Sequence, residues 1–179
     1  AEAKKLEAQG KEMIHLGLGQ PDFKTPKHIA DAAKKAIDDG HHGYVLANGT
    51  LECREAVSRK IKTLYKKEIS PERVMIMPGG KPTMFFAISM IGEPGSEIIH
   101  PTPGFPIYES MINYTGAQAV PYDLTEDKDL QFDPEKILSL ITEKTRLLIL
   151  INPNNPTGSF VEKSKIDFLA EGLKKFPHV

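Results

Sequence analysis

The chain has 179 residues, of which 40% are apolar and 26% charged, and its formal net charge is −1. That length suits one domain with a proper hydrophobic core, or one domain and part of another, and the composition is that of an ordinary soluble globular protein. Scattered basic residues exclude a nucleic-acid face or polybasic membrane anchor, and a single cysteine, Cys53, excludes an internal disulfide or a multi-cysteine zinc site.

A short charged helix is expected over residues 2–8, ending at Gly10; it carries no apolar core of signal-peptide length, which implies a cytoplasmic chain. Residues 13–18 read as extended and lead into an irregular loop at 17–23. Thr25 as cap and Pro26 as first residue predict a helix running to Asp38. After a loop at 40–48, a second helix is expected over 51–66, with Leu51, Arg54, Val57, Ile61 and Leu64 near helical spacing. Cys53 lies inside it and reads as a small buried hydrophobe. The pattern then alternates. Strands are expected at 74–77, 97–100, 118–122 and 146–151, the last one strongly buried. Helices are expected at 83–91, 106–114, 133–141 and 162–175. This repetition predicts an α/β fold, a mostly parallel sheet flanked by helices. The longest aliphatic runs, 84–91 and 147–151, are too short to span a bilayer.

Ligands of such sheets bind where loops leave the carboxyl ends of strands, and the three most unusual loops all follow strands. In the first, Gly79 and Gly80 allow close backbone approach, Pro82 suits a first helical turn, and Lys81 adds positive charge to a helix N-terminus, so a phosphate would be well held. A tight strand-to-helix turn explains the same residues. The second, Pro101-Thr102-Pro103-Gly104-Phe105-Pro106, is stiff enough to hold Phe105 against a flat ring, although a core role for Phe105 is also open. The third, Asn152-Pro153-Asn154-Asn155-Pro156-Thr157-Gly158, is poorly explained as a plain turn; asparagine amides both donate and accept, and suit a phenolate or hydroxyl.

These residues resemble the class I and II aminotransferases of pyridoxal-phosphate (PLP) fold type I. The third loop reproduces the family's Asn-Asn-Pro-Thr-Gly motif, residues 16–23 resemble its Gly-x-Pro-Asp-Phe loop, Tyr44 with Gly49 and Arg54 resembles a further segment, and Gly79-Gly80-Lys81 resembles its phosphate turn. The resemblance implies that residues 1–45 are an N-terminal arm and small-domain segment, and 46–179 the first part of an incomplete PLP-binding large domain. It further implies that Gly79, Gly80 and Lys81 hold the cofactor phosphate, Phe105 stacks on the pyridine ring and Asn155 bonds its phenolic oxygen. Tyr44 would reach the phosphate of a neighbouring subunit, making a homodimer with shared sites, and Gly19 would lie beside the substrate carboxylate. Thr102-Pro103 and Asn155-Pro156 are expected to be cis. The family's Schiff-base lysine, pyridinium aspartate and carboxylate-binding arginine are expected beyond Val179. On that reading residues 1–179 hold no catalytic residue, do not transaminate alone, and aggregate or fold poorly by themselves.

The implied activity is transfer of an amino group between an amino acid and a 2-oxo acid. A fold type I lyase or decarboxylase, and a non-catalytic truncated homologue that binds a phosphate ligand or partner, are the alternatives. A dinucleotide fingerprint is weak, since Gly17-x-Gly19 lacks its third glycine. His41 and His42 are adjacent in a loop, and no metal-ligand spacing occurs.

Overall fold

A computed structural model describes residues 2–15, 17 and 19–179. Leu16 and Leu18, on which the readings of the extended segment 13–18 and of the loop at 17–23 partly rest, lie outside the described residues. The chain forms two compact units, Ala1–Ala47 and Asn48–Val179. The first contains α1 (Glu2–Ala8) and α2 (Lys27–Asp38). α2 begins one residue later than expected: Pro26 is its cap, and no side chain, Thr25 included, bonds to its first turn.

The second unit opens with α3 (Leu51–Tyr65), capped by Thr50, whose Oγ1 accepts from the Cys53 N–H at 3.4 Å. Then come α4 (Gly80–Ile91), β1 (Glu97–Thr102), α5 (Ile107–Thr115), β2 (Gln118–Asp123), α6 (Pro134–Ser139), β3 (Thr145–Leu148) and α7 (Lys163–Leu173). α5 ends at Gly116 in the left-handed conformation, and α6 starts on Asp133, whose Oδ1 accepts from the Glu135 and Lys136 N–H groups at 3.1 and 3.2 Å.

The sheet has the order β2-β1-β3, with both pairings parallel. Because side chains alternate along a strand, the central β1 feeds two cores. Ile98 packs with Ile88, Met111 and Ile112 beneath α4 and α5, whereas Ile99 packs with Phe132, Ile137, Val161 and Leu169 beneath α6 and α7. Both isoleucines are fully buried, each contributing roughly 1.5–3 kcal/mol of transfer free energy.

Three sequence expectations are corrected. Residues 74–77 form no strand. An extended segment becomes one only beside a ladder partner, and here the Val74 N–H turns back to the Pro71 carbonyl at 3.2 Å while the Ile76 N–H alone reaches a distant main-chain acceptor among the described residues, the Asn48 carbonyl at 3.1 Å. The strand expected over 146–151 spans Thr145–Leu148, and only Thr145 in it is fully buried: Leu147 and Leu148 are half-buried and Arg146 exposed, β3 having a neighbour on one edge alone. Cys53 is exposed, because α3 turns Arg54 inward and Cys53, one position earlier, outward.

Replacing Ile99 by Ala in the intact protein is expected to lower unfolding free energy by about 2–5 kcal/mol, against no more than about 0.5 kcal/mol for Cys53→Ala, as read from denaturant midpoints.

Candidate functional site

From β1 the chain crosses to β2 on one side and returns to β3 on the other. The switch point therefore lies between the carboxyl ends of β1 and β3, the place where such sheets bind ligands. The loops leaving those two ends, 103–106 and 152–158, flank it.

At the start of α4, Gly79 has φ +100°, a conformation that side chains rarely adopt, while the space around it is open. The main-chain N–H groups of a helix's first turn have no partner inside the helix, and its dipole favours an anion there. Lys81 is exposed and its Nζ sits 5.9 Å from the Phe105 ring centroid, which joins the first loop to the second.

The second loop turns sharply after β1. A Cβ on Gly104 would lie 2.5 Å from the Pro101 carbonyl oxygen, so only glycine fits. Phe105 is half-buried and meets Tyr108 edge to face at 6.3 Å. Beneath it a cavity of about 100 Å³ is lined by His100, Gly104, Phe105 and Glu109, among others. His100 is buried, and desolvation holds its imidazole below the usual histidine pKa, partly opposed by a hydrogen bond with the Pro101 carbonyl and by Glu109.

The third loop is closed on itself. Asn152 Oδ1 accepts from the Val161 N–H at 3.0 Å, and the Asn154 carbonyl accepts from the Gly158 N–H at 2.8 Å. Asn154 is buried; its Nδ2 donates to Thr157 Oγ1 at 2.9 Å and to the Pro103 carbonyl at 3.4 Å, which fastens the third loop to the second. Asn155 is left exposed, and its amide has no hydrogen-bond partner among the described residues. The Thr102-Pro103 and Asn155-Pro156 bonds are cis, as the resemblance implies, and Asn152-Pro153 is cis as well.

Two contacts thus link the three loops: Lys81 with Phe105, and Asn154 with Pro103. Gly19 and Tyr44 lie in the separate first unit, both exposed. Sequence reasoning missed Asn154, since nothing in an Asn-Asn pair says which amide turns inward. It also left Arg54 without a structural role. That guanidinium is buried and donates to the Gly49 and Pro71 carbonyls at 3.2 and 3.1 Å, tying the start of α3 to the segment before 74–77. Among the described residues, no group of three or more His, Cys, Asp and Glu side chains could hold a metal ion, and no helix is long and apolar enough to cross a membrane.

A family model for aminotransferase class I and II matches residues 11–179, and the chain belongs to that family. Among curated relatives it is 35% identical to the (5-formylfuran-3-yl)methyl phosphate transaminase of Methanocaldococcus jannaschii and 32% identical to the aspartate aminotransferase of Bacillus subtilis. Each alignment takes in 96% of this chain and 44% of the relative. A solved structure of the Thermus thermophilus aspartate aminotransferase, a single mutant, superposes with a TM-score of 0.92 at 31% identity, over 97% of this chain and 46% of that one. The chain spans under half the length of the relatives it matches.

Asn154→Ala removes a buried donor and is expected to destabilise the intact protein by about 1–3 kcal/mol, with faster hydrogen exchange at the Gly158 amide. His100 takes up a proton more readily when unfolded than when folded. Stability should therefore fall as pH drops below 6.5, its ordinary value, and His100→Leu should flatten that part of the profile in denaturant titrations between pH 7.5 and 5.5.

Proposed function

We propose that the intact protein is a PLP-dependent aminotransferase, moving an amino group from an amino acid to a 2-oxo acid. The observation that carries this reading is the exposed amide of Asn155, without a hydrogen-bond partner among the described residues and held at the switch point by the buried Asn154 amide beside it. The residues fit the cofactor. Gly79, Gly80 and Lys81 form an open glycine turn at a helix N-terminus, suited to a phosphate. Phe105 offers an aromatic face for a pyridine ring, and Asn155 an amide for the ring's phenolic oxygen. When bound, PLP supplies the electron sink for amino-group transfer. The chain's part is to hold phosphate, ring and oxygen in fixed positions while the substrate reacts.

Several finer assignments belong to the same proposal. Residues 1–45 serve as arm and small-domain segment, and 46–179 as the first part of the cofactor-binding domain. Gly19 lies beside the substrate carboxylate, and Tyr44 serves the phosphate of a second subunit in a homodimer. The lysine that holds the cofactor, and the aspartate for its ring nitrogen, lie outside residues 1–179, so these residues alone do not transaminate. The open edge of β3 and the exposed Phe86 and Met90 on α4 support the expectation that residues 1–179 fold poorly in isolation. A cytoplasmic location is part of the same reading.

Aspartate, named in the activities of the Bacillus subtilis and Thermus thermophilus relatives, is the first donor to test. The intact protein incubated with PLP should develop a visible absorption band that changes with L-aspartate, and form glutamate from 2-oxoglutarate. Asn155→Ala should weaken PLP binding about tenfold, the loss of one good hydrogen bond. Absence of both the band and any amino-acid product, across a panel of donors, sinks the reading.

A further inference from the structure

β1 is the central strand of the sheet, yet it carries Pro101, which is fully buried. Proline is rare in that position because its nitrogen has no hydrogen to give to the ladder. In a parallel ladder the N–H and C=O of one residue point to the same neighbour, and successive residues alternate between neighbours. The Ile99 carbonyl accepts from the Ile149 N–H at 2.9 Å, so Ile99 faces β3; the Thr102 carbonyl accepts from the Leu124 N–H at 2.7 Å, so Thr102 faces β2. Pro101 therefore faces β3. Any other residue there would donate to the Ile149 carbonyl and complete the pair that Ile149 begins with Ile99.

The missing donor comes from elsewhere. Tyr122 sits on β2 opposite Pro101, and its hydroxyl donates to the Ile149 carbonyl at 3.1 Å. Since β1 lies between β2 and β3, the tyrosine side chain crosses the central strand at the level of Pro101. It is buried, with Phe132 edge to face at 6.3 Å. Burial raises its pKa well above the usual phenol range, which keeps the hydroxyl protonated as a donor. Ile149 stands three residues ahead of Asn152, where the closed third loop begins.

We propose that Tyr122 is a positioning residue: its hydroxyl supplies the ladder bond that Pro101 cannot, and so fixes the carboxyl end of β3 and the 152–158 loop that presents Asn155. The consequence for cofactor binding rests on the function proposed above; the consequence for the loop does not. Without this bond, the Ile149 N–H would be the last ladder tie to β1, and the Ile149 carbonyl would lose its partner at the point where the crevice opens.

The test is Tyr122→Phe in the intact protein, which keeps the ring and removes only the donor. Hydrogen exchange at the Gly158, Ser159 and Val161 amides should quicken about tenfold while α5 amides keep their rates. PLP affinity should fall by a similar factor in the Asn155 protein but change little in an Asn155→Ala background, because the loss acts through that amide. Unchanged loop exchange overturns the proposal, as does an affinity loss that persists in full without the Asn155 amide. If the intact protein binds no PLP at all, the proposed function fails, and the exchange experiment, needing no cofactor, still decides the role of Tyr122.

Discussion

Parallel pairing imposes one requirement from which the rest of this unit follows: each chain excursion must return to the same end of the sheet before it can pair again. β1, β2 and β3 therefore all enter from one edge and leave at the other, with α5 and α6 on the return paths. Because β2 and β3 lie on opposite sides of β1, the returns diverge, and the carboxyl ends of β1 and β3 flank the switch point. Two motifs 50 residues apart in the chain, Thr102-Pro103-Gly104-Phe105 and Asn152 to Gly158, meet there for that reason.

Proline-rich loops at a sheet edge give up main-chain donors, and the buried carbonyls left behind need partners. Here side chains provide them. Asn154 reaches the Pro103 carbonyl, Tyr122 the Ile149 carbonyl, Ser159 Oγ the Leu130 carbonyl at 2.8 Å, and Arg54 two carbonyls around α3. These polar ties join elements distant in sequence, and they leave Asn155 as the amide facing outward. In the class I and II aminotransferase family, to which the chain belongs, that exposed amide has a natural use in the function proposed for it.

Much of the fold was legible in residue pattern. β1, β2 and most of the helices lie within a few residues of their predicted bounds, because capping residues, prolines and helical spacing act locally. Residues 74–77 were misread for the opposite reason: their apolar run has strand character, but a strand exists only in a pair. Cys53 failed similarly, since a helix's inward face is chosen by what packs against it, and here Arg54 takes the inward position.

What the residue order determined by itself is chemistry that a short segment carries: the glycine turn before α4, the Asn-Asn-Pro-Thr-Gly loop and the alternation of elements that makes a parallel sheet. Those features depend on neighbours a few residues away, so they can be read without a fold. Which of two adjacent asparagines is buried, which tyrosine replaces a missing ladder donor and how far a strand extends were decided only by tertiary structure. Each of these depends on a carbonyl or an edge supplied from 20 or more residues away, and a linear pattern holds no record of that distance once the chain has folded.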